Sequence, residues 1–160
     1  MEKKSIMWLK IACYSALVCL ILWAAFYCIQ GYFILTTGSG EGVIDWSGAH
    51  VGIKVSYFLL SRAIVLAIAG IAVAFVVNIL KYIRGGQIFN RKNVALLWAL
   101  VVLVPIHTFF NDNLGYVVTP DIYWHFILTS NTLMYTIVVL LVALLYKLAY
   151  DAAREQELTI

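Results

Sequence analysis

The amino-acid sequence predicts an all-α membrane protein with four transmembrane helices arranged as an antiparallel, up-and-down bundle. Hydrophobic residues make up 64% of the 160 residues and charged residues only 12%, a composition far outside that of soluble domains. Four apolar segments are each long enough to cross a bilayer, which takes about 17 to 25 residues. Lysine and arginine collect on one side of these segments, which predicts that both termini face the cytoplasm.

The four spans are predicted at residues 6–35, 57–80, 94–110 and 126–146 of a single transmembrane domain. The first span follows Lys3 and Lys4, as the apolar part of a signal peptide does, but it is longer than such a segment and no small-residue cleavage site follows it. We therefore expect a retained first helix.

Two features inside the spans make specific predictions about packing and shape. Small residues recur at helical spacing in the second span and are expected to face another helix; they are Ala63, Ala67, Gly70 and Ala74. In the third span, Pro105 removes a backbone donor near the outer end and is expected to bend the helix there.

The connections between the spans are predicted to be two short extracytoplasmic loops and one cytoplasmic turn. Residues 36–56 are rich in glycine, and the alternation at Val51, Ile53 and Val55 suits an exposed strand, which leaves room for a small β-hairpin. Residues 111–124 contain turn formers and interfacial aromatic residues, which indicates a second outer loop.

The cytoplasmic side is predicted to consist of the turn at residues 81–93 and a helical tail at residues 147–160. Gly85 and Gly86 break the turn, and Asn90 or Asn93 can cap the next helix. Lys147 and Asp151 have the spacing of a helical ion pair. With Lys3, Lys4 and Lys10 near the N-terminus, nine of the eleven lysine and arginine residues fall on this side, and the resulting prediction is a multi-pass protein with both ends inside.

Four polar residues inside the spans are candidates for function, because polar groups in a bilayer are costly and often mark sites. They are Arg62, Asn78, His107 and Asn131. Arg62 can pair with Asp112 or Asp121 from the second outer loop, or its side chain can reach the headgroups. The two asparagines suit interhelical hydrogen bonds.

Chemistry of other kinds is not predicted. The three cysteines lie on one span, too far apart to pair with one another, and the histidines His50, His107 and His125 lack the spacing of metal ligands. No catalytic motif or phosphate-binding loop is present. With a net charge of only +3, we expect no direct nucleic-acid binding. Because catalytic motifs and ligand-like spacings are missing, we also expect no cofactor, no metal and no enzymatic activity.

Two stretches carry a family resemblance: RGGQIFNRKNVALL at residues 84–97 and REQELTI at residues 154–160. Together with the four-span layout, they resemble the bacterial membrane family known as domain of unknown function 2975. Proteins of that family are commonly encoded beside a very small helix-turn-helix regulator, so the resemblance implies the membrane component of a regulatory pair, located in a bacterial inner membrane.

The resemblance also implies where a partner would bind. The candidate residues are Arg84, Gly85, Gly86, Gln87, Ile88, Phe89, Asn93, Glu157, Leu158, Thr159 and Ile160. From the residues alone, a tight basic turn and a solvated helix end also account for these segments without a partner. The leading hypothesis is a non-enzymatic membrane adaptor or regulator that acts with a small helix-turn-helix partner.

Two alternatives stay open. The first is a small transporter or channel subunit assembled as a homo-oligomer, because four short helices hardly enclose a pathway alone. The second is a lipid-modifying enzyme, for which the only available groups are His50, His125, Asp112 and Asp121 in or near the outer loops.

Overall fold

The computed structural model of the protein contains four long helices. It describes residues 3–37, 46, 50–85, 88–118 and 126–158. The helices are α1 (Lys3–Thr37), α2 (Val51–Tyr82), α3 (Arg91–Val117) and α4 (Ser130–Leu158), with one 3₁₀ turn at Ile83–Gly85. No strand occurs in these residues.

All four helices are long and apolar enough to cross a membrane, since a span needs about 20 residues. Each overlaps one of the predicted spans, so the prediction of an all-α, four-span chain is confirmed at this level. By length and composition, the protein is a multi-pass membrane protein.

Two predicted loop segments are helical instead. Helix α2 already begins at Val51, so the alternating residues 51–55 do not form a hairpin strand, and in this helix Lys54 is buried whereas Val51 and Ile53 are exposed. Helix α3 continues to Val117, so residues 111–117 belong to a helix and not to an outer loop. The other parts of both predicted loops, 38–45, 47–49 and 119–125, lie outside the described residues.

Packing is mainly between helices that follow one another in the chain. Helix α2 packs against α1 and α3, and α3 packs against α4. Helix α1 has its main contacts with α2, and its large apolar side chains are mostly exposed, as are those of α4. Exposed apolar side chains of this extent are expected where the surrounding solvent is lipid.

The small-residue stripe of α2 does not face another helix in the described chain. Ala63, Ala67, Gly70 and Ala74 are all exposed, and the space where a Gly70 side chain would begin is open. The opposite side of α2 is the buried one and contains Phe58, Ser61, Val65 and Ala69. Within the described chain, α2 therefore packs through this face and not through the small-residue stripe.

Helix α3 is capped at its start by one of the two predicted capping residues. Asn90 is the N-cap residue, and its side-chain oxygen accepts a 2.9 Å hydrogen bond from the backbone N–H of Asn93. Such a cap satisfies one of the four free N–H groups at a helix start. Pro105 lies inside α3, which continues on both sides of it.

Side-chain contacts join the helices at two ends of the molecule. We call the end that contains Gln30, Arg62, Asp112 and Thr129 the Asp112 end, after the hydrogen bonds and the cavity that connect these parts of the four helices. The other end contains Ile88, Asn93 and Tyr146, and we call it the Tyr146 end.

Candidate functional site

The Tyr146 end is organised around the phenol group of Tyr146. Its hydroxyl donates a 2.7 Å hydrogen bond to the carbonyl oxygen of Ile88 and accepts one of 3.0 Å from Nδ2 of Asn93, which is fully buried. The ring packs edge-on against Phe75 and Phe89, with centroids 5.5 Å and 5.2 Å away. These contacts hold the turn before α3 against the last part of α4.

A basic cavity lies beside this contact, between the start of α3 and the end of α4. Its volume is about 500 Å³. Three cationic side chains and one carboxylate line it, together with Val94 and Tyr150; the charged residues are Arg91, Lys147, Asp151 and Arg154. Lys147 and Asp151 form the predicted ion pair, with 2.7 Å between Nζ and Oδ2. The excess positive charge suits an acidic ligand or partner.

The predicted partner-binding residues are distributed unevenly over this end. Phe89 is exposed, Ile88 is half-buried, and Asn93 is buried and bonded to Tyr146. Arg84 and Gly85 lie in the 3₁₀ turn, whereas Glu157 and Leu158 end α4. The remaining four fall outside the described residues; they are Gly86, Gln87, Thr159 and Ile160.

The Asp112 end is held together by Asn113, whose side chain is fully buried. Its amide nitrogen donates to the carbonyl oxygens of Phe109 and Ile127, at 2.8 Å and 2.9 Å. Its amide oxygen accepts a 2.8 Å hydrogen bond from the backbone N–H of Ile127. The side chain thus fixes the backbone of the segment that leads into α4.

Asp112 fixes the first turn of α4 itself. One carboxylate oxygen accepts hydrogen bonds from the hydroxyl groups of Thr129 and Thr132. A carboxylate is favourable at a helix N-terminus, where free N–H groups carry partial positive charge. Asp112 therefore stabilises the start of α4. It does not form the ion pair with Arg62 that the sequence analysis offered as one possibility. The other possible partner of Arg62, Asp121, lies outside the described residues.

Arg62 points towards α1. Its Nη1 donates a hydrogen bond of 3.3 Å to the side-chain oxygen of Gln30, and its guanidinium carbon lies 5.0 Å and 4.8 Å from the ring centroids of Tyr27 and Phe58. The buried Nε has no hydrogen-bond partner. A guanidinium over aromatic faces gains cation–π energy, but it keeps unused N–H donors.

Two cavities meet at Arg62. The first, which we call the polar chamber, has a volume of about 330 Å³ and is lined by Tyr27, Gln30, Ile34, Arg62, Asn111, Leu114 and Gly115. The second, which we call the apolar groove, lies between α1 and α2 and has a volume of about 300 Å³. It is lined by Tyr27, Cys28, Gly31, Tyr32, Leu35, Phe58, Leu59, Arg62 and Leu66.

The four predicted intramembrane polar residues do not form one site. Of these, Arg62 alone lines the polar chamber and the apolar groove. His107 is half-buried on α3, and its buried Nδ1 has no hydrogen-bond partner. Asn78 is half-buried in the last part of α2, and Asn131 is exposed at the start of α4.

Two residues of the Asp112 end were not singled out by sequence reasoning. Gln30 is not among the predicted candidate residues, although it precedes the predicted span end at Leu35 by five positions, and Arg62 follows the predicted span start at Tyr57 by five. Equal depth in neighbouring spans was the signal for this pair. Asn113 was read as a loop residue, and no sequence signal indicates its contact with Ile127.

The described residues contain no group of three histidine, cysteine or acidic side chains that could hold a metal ion. Cys13, Cys19 and Cys28 are free thiols on α1. No family model, no curated protein and no solved structure matches this chain. What the geometry defines is an all-helical, multi-pass membrane protein with a basic cavity at one end and an arginine-centred pair of cavities at the other.

Proposed function

We propose that the chain is an up-and-down bundle with both termini in the cytoplasm, so that the Tyr146 end faces the cytoplasm. The contacts support an up-and-down arrangement of α3 and α4, because the first part of α3 bonds to the second half of α4 and the last part of α3 to the first part of α4. Cationic residues cluster at the Tyr146 end, as the positive-inside rule requires. Reporter fusions at the carboxyl terminus that are active only outside the cytoplasm would contradict the orientation.

In this orientation the protein is a membrane adaptor or regulator that binds a small cytoplasmic helix-turn-helix partner at the Tyr146 end. The observation that carries the proposal is the pair of hydrogen bonds made by Tyr146. They hold Ile88 and Asn93, in the first of the two segments that the family resemblance implies for partner binding, against α4, whose last residues, Glu157 and Leu158, belong to the second segment. Residues 53 and 58 positions apart in the chain are thereby in contact.

The chemistry of the Tyr146 end indicates the kind of partner surface that would fit. Arg91, Lys147 and Arg154 surround the basic cavity, and Asp151 compensates only part of their charge. Phe89 is exposed beside them and offers an aromatic anchor. Opposite charges steer association, whereas aromatic anchors contribute most of the affinity. The partner is therefore expected to present acidic residues around an apolar pocket.

Capture of the full chain from native membranes tests this proposal. The variant Arg91→Gln with Arg154→Gln removes two charges from the cavity, and Lys4→Gln with Lys10→Gln removes two from α1 as a matched control. We expect the wild type and the control to retain a small helix-turn-helix protein, and the cavity variant to retain at least about tenfold less. Absence of such a protein from the wild-type sample, or equal capture by all three, would refute the proposal.

A second candidate, a small oligomeric transporter or channel subunit, is favoured by the polar chamber. The chamber places Gln30, Arg62 and Asn111 around one space, as a polar pathway would require. Because one copy offers no continuous row of the predicted polar residues, this candidate depends on a homo-oligomer. Native mass spectrometry that finds only monomers in lipid nanodiscs would count against it.

A further inference from the structure

Arg62 keeps hydrogen-bonding capacity that the protein does not use. A guanidinium has five N–H donors, and the described contacts occupy one of them, with the Gln30 oxygen 3.3 Å away. The Nε atom is buried and has no partner. The remaining donors can bind an anion with two oxygens, since the planar fork of arginine matches phosphate and carboxylate geometry.

The positive charge of Arg62 is also not neutralised by an acid of the described chain. No carboxylate among the described residues lies within 4.0 Å of its nitrogen atoms, and Asp112 bonds to Thr129 and Thr132 instead. The rings of Tyr27 and Phe58 stabilise the cation only in part. A charge inside a span without an acidic partner favours an anionic ligand.

The two cavities at Arg62 differ in chemistry. Tyr27, Gln30 and Asn111 give the polar chamber its hydrogen-bonding groups. Leucine and aromatic residues make up six of the nine residues that line the apolar groove, which runs between α1 and α2. Tyr27 and Arg62 line both. A cation therefore lies where a polar space and an apolar space meet, which matches the two halves of an amphiphile.

We propose that Arg62 is the centre of a binding site for an anionic amphiphile with a phosphate headgroup. The phosphate oxygens accept hydrogen bonds from the guanidinium at the mouth of the polar chamber, and an acyl chain lies in the apolar groove. The site is at the Asp112 end and is separate from the partner surface proposed at the Tyr146 end. It does not depend on the direction in which the protein crosses the membrane.

Native mass spectrometry of the full chain in detergent tests the site. The probes are dioleoyl phosphatidic acid, dioleoyl phosphatidylcholine and inorganic phosphate, and the variants are Arg62→Gln and Lys81→Gln, the second of which removes one exposed charge from the far end of α2. We expect one phosphatidic acid to bind the wild type and Lys81→Gln about tenfold more tightly than phosphatidylcholine, and Arg62→Gln to lose this preference.

The outcomes separate the sources of the phosphate. A large excess of inorganic phosphate is expected to leave the lipid bound, because the groove contributes through the acyl chain. Displacement by phosphate would indicate a free-anion site and overturn the amphiphile proposal. Retention of the lipid preference in Arg62→Gln would overturn it as well.

A second measurement on the wild type keeps the proposal falsifiable if Arg62→Gln does not fold. A phosphatidic acid analogue with a photoreactive group in its acyl chain is activated in lipid nanodiscs, and the labelled peptides are mapped. We expect enrichment in residues 27–35 and 58–66, which line the apolar groove. Labelling spread evenly over the exposed faces of α1 and α4 would contradict a defined site.

Discussion

The hydroxyl group of Tyr146 donates a 2.7 Å hydrogen bond to the carbonyl oxygen of Ile88, 58 positions earlier in the chain. The same hydroxyl accepts a 3.0 Å hydrogen bond from the buried amide of Asn93. One side chain of α4 thus contacts the residues on both sides of the N-cap of α3. The turn between α2 and α3 is therefore held by a tertiary contact as well as by its own capping bond.

Removing this hydroxyl should cost measurable stability. We expect Tyr146→Phe to lower the free energy of unfolding by about 1–2 kcal/mol, because the Asn93 amide and the Ile88 carbonyl lose their partner. Tyr135→Phe on the exposed face of α4 is the control, with an expected change below about 0.5 kcal/mol. Unfolding in mixed micelles, followed by circular dichroism, measures both. Equal effects would show that the hydroxyl of Tyr146 contributes nothing specific.

At the Asp112 end, we expect the largest loss of stability from replacing Asn113. Asn113→Ala removes three hydrogen bonds and leaves both backbone groups of Ile127 without this partner. We expect a loss of about 2–3 kcal/mol in the free energy of unfolding. Asn131→Ala, at an exposed asparagine of α4, should change it by less than about 0.5 kcal/mol. A loss in the control as large as in Asn113→Ala would mean that the contact with Ile127 is not the cause.

Two adjacent residues test which face of α2 packs against the other helices. Ala69 is buried, so Ala69→Leu should overpack the interface and cost about 1–3 kcal/mol. Gly70 is exposed with open space beside it, so Gly70→Leu should leave the free energy of unfolding unchanged or raise it by up to about 1 kcal/mol through helix propensity. The same micelle titration compares the two. The reverse order would indicate that the small-residue stripe, and not the face with Ala69, is the packed face of α2.

The number and rough position of the helices could be predicted from the sequence, because bilayer thickness sets a length that four apolar segments meet. The residues at which the helices begin and end could not be predicted in this way. The Asn-Asp-Asn run at positions 111–113 has the composition of a turn, yet it continues α3. Asn113 satisfies backbone groups of α3 and of the segment before α4, and Asp112 bonds to Thr129. Such contacts between distant segments leave no periodic trace in the chain.

In the candidate sites, too, single residues could be predicted from the sequence, whereas the contacts between them could not. Arg62 could be singled out because a charge in an apolar segment is conspicuous, and Asn90 because its position suits a helix cap. The contact between Arg62 and Gln30 depends on the rotation of α1 relative to α2, which the nearly uniform hydrophobicity of α1 does not specify. The role of Asn93 was also hidden, since a buried amide bonded to Tyr146 and an exposed partner-binding amide have the same local sequence.

The carboxylate of Asp112 should control how firmly α4 begins. Asp112→Asn removes the negative charge that accepts from Thr129 and Thr132 and that favours the helix N-terminus, with an expected cost of about 1–2 kcal/mol. The control is Asp151→Asn, which breaks the exposed ion pair with Lys147 and should cost only about 0.3–0.5 kcal/mol.

Hydrogen exchange shows where in α4 the loss of stability occurs and how large it is. Because Asp112 acts on the first turn of α4, faster exchange in Asp112→Asn should be concentrated at the amides of residues 131–136. Exchange in Asp151→Asn should stay unchanged there, since that ion pair lies near the other end of the helix. Unchanged protection at residues 131–136 in Asp112→Asn would show that Thr129 and the helix backbone hold the start of α4 without the carboxylate.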